Sequence, residues 1–135
     1  MDDEKSTQPT PWPGPIRAVT LFAEDLAAVR AFYEDVFDLP LFFEDKNSAV
    51  FKFGDTLINL LDVKAAPELI DPATVVGPDA GHRFVFTLGV EDVDAMAAEL
   101  VARGVTLLNG PMDRPWGIRT ASFIDPAGVI WEIAQ

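Results

Sequence analysis

The sequence predicts an α+β fold built from two successive βαβββ modules. Short segments rich in β-branched and aromatic residues alternate with two segments whose apolar residues recur at helical spacing. The order strand, helix and three strands occurs twice, and the chain aligns with itself after a shift of 67 residues. With 135 residues, 49% of them hydrophobic, the chain is long enough to form one domain with a packed core.

The internal repeat is clearest between residues 18–28 and 85–95. Five of these eleven aligned positions are identical, among them Thr20 with Thr87, and an acidic pair follows the strand in both copies. Because the same order of predicted elements accompanies these identities, we interpret the chain as an internal duplication.

The first module is predicted over residues 16–62. The Glu24-Asp25 pair precedes its helix and supplies a carboxylate that can accept from unpaired backbone amides. Asp38 and Pro40 end this helix. The predicted strands are 16–22, 41–44, 49–53 and 56–61, with Gly54-Asp55 as the turn between the last two.

Residues 63–81, rich in Pro, Asp and Gly, are predicted as a linker loop before the second module, residues 82–135. The helix of this module is capped by Glu91-Asp92 and ended by Gly104. The predicted strands are 83–90, 105–108, 119–124 and 129–134, separated by a loop at 109–117 and a turn at 125–128.

The N-terminal residues and the composition exclude several classes of protein. Residues 1–15 hold four of the eleven prolines, which predicts a flexible Pro-rich arm. The chain has no cysteine, which excludes disulfides and thiolate metal sites. No apolar run reaches the roughly 18 residues of a membrane span, and the N-terminus does not resemble a signal peptide. We therefore expect a cytoplasmic protein.

The charge balance indicates which partners suit the surface. Twenty-two acidic residues against ten basic ones give a net charge of −12 and a pI near 4.2. Such a surface repels nucleic acids and anionic membranes and attracts cationic ligands at long range. We expect no nucleic-acid partner and no membrane partner.

Three segments resemble the vicinal oxygen chelate (VOC) superfamily of glyoxalases, bleomycin resistance proteins and extradiol dioxygenases. They are LAAVRAFYEDVFDLPL after the first acidic cap, FGDTLINL, and PWGIRTASFIDPAGVIWEI, and the resemblance extends over about residues 16–134. It implies a single VOC domain over residues 16–135, whose two modules form a cup-shaped mixed sheet with any ligand on the concave face. It also implies a homodimer, and the bleomycin resistance branch is the most similar.

The resemblance also implies where a metal ion would be held. Mapped residue by residue, the four ligand positions of the superfamily carry Ala18, Asn59, Val85 and Glu132. Metal-using members have His, Glu or Gln there, whereas Ala and Val offer no donor atom. His82 lies three residues before Val85 and so points to the opposite face of a regular strand. We expect no metal site and no cofactor, and Glu132 is the one suitable ligand.

Six residues are candidates for ligand binding. Thr20 and Thr87 share strand parity with the ligand positions and are expected to face inward. Trp116 lies in a loop that rims the cavity in this superfamily, where it can stack on a ligand or anchor the loop. Arg119 is either a counter-ion for Glu132 or an anionic substrate, or a surface residue. The full set is Thr20, Asn59, Thr87, Trp116, Arg119 and Glu132.

The function expected from this resemblance is metal-independent binding of a small molecule. The protein would sequester an aromatic or cationic natural product, as in the bleomycin resistance branch, and would have no catalytic residue. One alternative is a metal-dependent lyase or dioxygenase of the superfamily. A second is a metal-free enzyme with Glu132 as general base, and a third is an interaction module without a pocket.

Overall fold

The computed structural model describes residues 14–135 and confirms the predicted α+β fold of two βαβββ modules. The first module contains β1 (Ala18–Ala23), α1 (Leu26–Asp35), β2 (Leu41–Asp45), β3 (Ser48–Phe53) and β4 (Thr56–Asp62). A 3₁₀ turn (Val63–Ala65) and α2 (Ala66–Ile70) follow. The second module contains β5 (Val85–Gly89), α3 (Val93–Ala102), β6 (Leu107–Asp113), β7 (Arg119–Ile124) and β8 (Ile130–Ala134). Most of the predicted N-terminal arm lies outside the described residues.

Each module forms one four-stranded mixed sheet, and the two sheets have the same topology. The strand orders are β1-β4-β3-β2 and β5-β8-β7-β6. In each sheet the first and last strands of the module pair in parallel, and the remaining pairs are antiparallel. The shared strand order is what the internal repeat in the sequence predicts.

The acidic residues before both long helices act as N-caps, as the sequence predicts. The Asp25 carboxylate accepts from the backbone amide of Ala28 at 3.1 Å, and Asp92 accepts from that of Ala95 at 3.0 Å. Each contact satisfies one of the amides that a helix leaves unpaired at its N-terminus. The helices therefore begin at equivalent positions in the two modules.

Two segments differ from the sequence-based prediction. The linker at 63–81 is not a loop throughout, because the Asp62 carboxylate caps a 3₁₀ turn that leads into α2. The predicted loop at 109–117 is partly strand, since β6 runs on to Asp113. β6 is paired with β7 through two register shifts, so its side chains do not keep the strict alternation that reveals a strand in sequence.

The two modules share one hydrophobic core, and its centre is aromatic. Tyr33 of α1 packs against Trp131 of β8 with ring centroids 6.1 Å apart, and Phe53 of β3 stacks on the same tryptophan at 5.2 Å. The core-facing sides of the two sheets therefore face each other across these rings. The opposite side of each sheet, called here its open face, lies on the outside of the chain. No helix within residues 14–135 has the length and apolar character needed to cross a membrane.

Candidate functional site

The open face of module one carries Thr20 and Asn59 side by side. They are register partners on β1 and β4, and the Asn59 amide nitrogen donates to the Thr20 hydroxyl at 3.3 Å. Because Leu21 and Leu60 are buried in the core, strand alternation places Thr20 and Asn59 on the opposite side. The amide oxygen of Asn59 is buried and has no hydrogen-bond partner among the described residues. An acceptor of this kind is suited to a donor from a ligand.

Exposed aromatic rings continue this face toward the edge of the sheet. Phe43 on β2 is paired with Val50, which is paired with Asn59, so the three residues lie in one row. The Phe43 side chain is 55% exposed although it is apolar. The neighbouring Phe42 is also exposed, and the Lys52 ammonium lies 6.0 Å from its ring centroid. The open face of module one is therefore largely apolar and has no carboxylate in this row.

The open face of module two carries Thr87 and Glu132 at the equivalent place. They are register partners on β5 and β8, and the Thr87 hydroxyl donates to the Glu132 carboxylate at 2.9 Å. Trp131 and Ile133 are buried in the core on the other side of the strand, as alternation predicts. No arginine, lysine or histidine of the described chain forms an ion pair with Glu132. Its negative charge is oriented by a neutral hydroxyl.

Arg119 is engaged elsewhere and is not the counter-ion of Glu132. Its guanidinium donates to both carboxylate oxygens of Asp94, at 2.8 and 2.9 Å, and to Asp113 at 3.0 Å. These hydrogen bonds, first to Asp94 and then to Asp113, raise the pKa of Arg119. The same contact with Arg119 lowers the pKa of Asp94. Of the two roles that the sequence allowed, the structure favours a surface ion pair.

Trp116 lies in the turn between β6 and β7, and its side chain is 68% exposed. The turn is closed by the Gly117 amide, which donates to the Arg114 carbonyl at 3.0 Å. An indole this exposed does not anchor the loop on the core. Sequence analysis did not select Arg114, whose guanidinium reaches the open face of module two from the start of the same turn.

A cavity of about 300 Å³ lies beside β1, and Thr20 is the one candidate of the six that lines it. Its other walls come from the linker after α2, the start of β5 and the turn between β7 and β8. His82 is exposed at this rim and precedes β5. The six candidate residues therefore do not converge on one cavity within a single chain.

The residues at the superfamily's metal positions do not fit a divalent cation. Ala18 and Val85 have no donor atoms, and Asn59 and Glu132 lie on different sheets with a hydroxyl as their side-chain partner. Within residues 14–135 there is no group of three or more His, Cys, Asp or Glu side chains that could hold a metal ion. A protein metal site needs several such donors around one point.

The chain thus consists of two βαβββ modules of the same topology, each with one hydrogen-bonded polar pair on the open face of its sheet. The family model of the Glyoxalase/Bleomycin resistance protein/Dioxygenase superfamily matches residues 16–133. The chain belongs to this superfamily, which confirms the resemblance seen in the sequence.

The chain is also similar to one protein by sequence and to several solved structures by fold. The chain is 34% identical over 87 residues to the uncharacterized protein YraH of Bacillus subtilis (strain 168), covering 63% of this chain and 68% of that protein. A glyoxalase/bleomycin resistance protein/dioxygenase from Nocardioides superposes with a TM-score of 0.83 at 23% identity, over 97% of this chain and 88% of that one. Lactoylglutathione lyase from Agrobacterium tumefaciens superposes with a TM-score of 0.71 at 27% identity, over 90% and 93% of the two chains. At these identities the structural matches support the fold more than any activity.

Proposed function

We propose that this protein binds a small organic molecule on its open sheet faces without a metal ion, in the manner expected of the bleomycin resistance branch. The observation that carries the proposal is Glu132, a carboxylate on the open face of module two that is hydrogen-bonded to Thr87 and has no cationic partner among the described residues. A ligand with a basic nitrogen can supply that partner, and the net charge of −12 favours its approach.

The open face of module one supports an aromatic part in the same ligand. Phe43 is more than half exposed in one row with Asn59, and exposed aromatic rings stack on planar ligands. The hydrogen-bonded Thr20–Asn59 pair adds polar groups to this face. An apolar surface with a few placed polar groups is typical of small-molecule sites.

We further propose that two copies of the chain form the complete site as a homodimer. The Thr20–Asn59 pair and the Thr87–Glu132 pair lie on open faces at opposite sides of the shared core. A second copy would place the module-one face of one chain against the module-two face of the other. Val85, half exposed at the edge of the module-two face, is suited to such a contact. Sedimentation velocity would test this proposal, and a chain that remains monomeric at micromolar concentration would contradict it.

The binding proposal is tested with benzylammonium, a small aromatic cation, by isothermal titration calorimetry. We expect binding to the native chain and a loss of at least tenfold in Glu132→Gln, which keeps the shape of the side chain and removes its charge. Glu68→Gln is the matched control, because Glu68 is an exposed glutamate on α2. Equal binding by all three proteins would contradict a site at Glu132.

The absence of a metal requirement needs its own measurement. Elemental analysis of the purified protein should find no stoichiometric transition metal, and Zn²⁺, Mn²⁺, Ni²⁺ or Fe²⁺ should not raise its melting temperature. A bound metal, or a stabilisation by one that Glu132→Ala abolishes, would refute the proposal and favour a metal-dependent enzyme.

A metal-free enzyme is the second candidate, and the Thr87–Glu132 hydrogen bond favours it. The Thr87 hydroxyl donates to one Glu132 oxygen at 2.9 Å and orients the carboxylate, whose other oxygen can accept a proton from a substrate. Glu132→Gln distinguishes the two functions once a ligand is known. Turnover that disappears while the ligand still binds would identify catalysis, whereas a loss of binding alone supports sequestration.

A further inference from the structure

We propose that Arg114 forms an anion-binding subsite on the open face of module two, so that the ligand of this protein carries a carboxylate as well as a basic nitrogen. The inference rests on the proposed function, because it names the chemistry of the ligand bound beside Glu132. It adds a residue that the sequence analysis did not select.

The Arg114 guanidinium lies on the same face as Glu132. Its Nε donates to the Thr120 hydroxyl at 2.8 Å, and its Nη2 donates to the Asn109 side-chain oxygen at 3.1 Å. Asn109 is the register partner of Ser122, and Ser122 is in turn the partner of Glu132. Thr120 is two residues from Ser122 along β7 and therefore shares its face.

Both partners of Arg114 are neutral, so they orient its charge without compensating it. No carboxylate of the described chain forms an ion pair with Arg114, Arg17 or Arg83, whereas Arg30, Arg103 and Arg119 each have at least one acidic partner. Arg114 differs from Arg17 and Arg83 in that two neutral side chains hold its guanidinium in place. Two of the five guanidinium N–H groups are used, and the remaining three form a planar fork that matches a carboxylate.

The strand geometry around Arg114 holds its two partners in place. Gly110 interrupts β6 with φ +83°, and a Cβ at this position would lie 2.4 Å from the Thr120 carbonyl oxygen. β6 and β7 can therefore approach this closely only because residue 110 is glycine. Thr120 is itself fully buried, with the Arg114 guanidinium hydrogen-bonded to its hydroxyl. The subsite is a built feature of the sheet rather than a free side chain on a loop.

The positions of the two charges limit the ligand. Thr120, which holds Arg114, is one strand and two residues away from Glu132. With about 4.8 Å between strands and about 3.4 Å per residue, their Cα atoms are roughly 8 Å apart. Opposite charges on the same face of one sheet, each without an ionic partner in the described chain, fit an amphoteric molecule. We infer an amino carboxylate with an aromatic or apolar body between its charged ends.

Three probes test the subsite by isothermal titration calorimetry on the full chain: benzoate, benzylammonium and para-aminomethylbenzoate. We expect benzoate to bind the native protein and to bind Arg114→Gln at least tenfold more weakly. Arg114→Lys, which keeps the charge but loses the planar fork, should give an intermediate affinity. The amphoteric probe should bind more tightly than either half and should be weakened by Arg114→Gln and by Glu132→Gln.

The control is Lys46→Gln, which also removes one positive charge. Lys46 lies beside the N-terminus of α1, on the helix-covered side of module one, and its substitution should leave benzoate binding unchanged. Benzoate that does not bind the native chain, or that binds Arg114→Gln equally well, would overturn the subsite.

The benzylammonium results separate this inference from the proposed function. If benzylammonium binds through Glu132 and benzoate does not depend on Arg114, the proposed function stands and the anion subsite is wrong. If benzoate needs Arg114 and benzylammonium ignores Glu132, the subsite stands and the cation site is wrong. If neither probe binds, both proposals fail.

Discussion

Replacing Tyr33 by phenylalanine would remove one hydroxyl group from the polar contact between the two modules. The Tyr33 hydroxyl donates to Asp125 Oδ2 at 2.8 Å across 92 residues of sequence, and both groups are buried. The same carboxylate accepts from the Trp131 indole at 2.9 Å and from the backbone amides of Ala127 and Val129 at 2.8 and 3.1 Å. Asp125 thus connects α1 of the first module to the β7–β8 turn of the second.

The magnitude follows from the charge and burial of the acceptor. A hydrogen bond to a charged group contributes about 1.5–3 kcal/mol, and we expect Tyr33→Phe to lower the free energy of unfolding by about 2 kcal/mol. The aromatic ring remains, so its packing against Phe37 and Trp131 is retained. Since three donors still serve Asp125, the loss should stay below that of a fully unpaired buried carboxylate, about 3–5 kcal/mol.

Urea unfolding followed by circular dichroism measures this difference. Thr87→Val is the control, because it also deletes a hydroxyl that donates to a carboxylate, at 2.9 Å, but on an exposed face. Substitutions at such exposed positions change stability by less than about 0.5 kcal/mol. Equal effects of Tyr33→Phe and Thr87→Val would refute the reasoning, because burial would then make no difference to the two hydrogen bonds.

Two further predictions concern the same core and the neighbouring sheet. Burial, and then the charge of Asp125, raise the pKa of Tyr33, so above pH about 10 the unfolded chain loses this proton while the folded chain keeps it. Above that pH, the free energy of unfolding of the native chain should fall by about 1.4 kcal/mol per pH unit. Urea unfolding at several pH values measures this fall, and an equally steep fall in Tyr33→Phe would contradict the prediction. Gly110→Ala should destabilise the protein by more than about 3 kcal/mol, because the new Cβ would lie 2.4 Å from the Thr120 carbonyl oxygen. Gly54 has open space around it, so Gly54→Ala should cost about 1 kcal/mol in the same urea assay.

The elements that the sequence predicts well are those whose signals are local. The caps at Asp25 and Asp92 act on amides three residues away, and the alternation of Trp131, Glu132 and Ile133 decides which side of β8 is buried. β6 lacks such a signal, because its two register shifts interrupt the alternation of buried and exposed side chains by which a strand is predicted. α2 has only five residues and begins beside a proline in a segment rich in Pro, Asp and Gly. Such a segment is predicted as a loop, so the helix is missed.

The sequence indicated the candidate residues one at a time but not how they lie together. Strand parity predicted that Thr20 and Thr87 share a face with the metal-ligand positions, and the structure adds that Thr20 is hydrogen-bonded to Asn59 and Thr87 to Glu132. Strand parity does not predict how the two sheets are placed around the shared core. Their placement depends on aromatic packing between residues far apart in sequence, such as Phe53 and Trp131. The partners of Arg114 and Arg119 were also not predictable from the sequence. In the folded chain Arg119 donates to the Asp94 carboxylate, whereas Arg114 donates to the neutral Thr120 hydroxyl. Sequence alone gives these two arginines the same chemistry.

The two modules have the same strand order but carry different side chains at equivalent positions of their open faces. Thr20 and Thr87 occupy equivalent positions on the first strand of each module, yet Thr20 faces the amide of Asn59 and Thr87 faces the carboxylate of Glu132. One open face therefore carries exposed aromatic rings and the Lys52 ammonium, and the other carries the Glu132 carboxylate. The proposed ligand would use both kinds of surface. The difference between the modules therefore supports the proposed homodimer, in which a second copy would bring the two surfaces together.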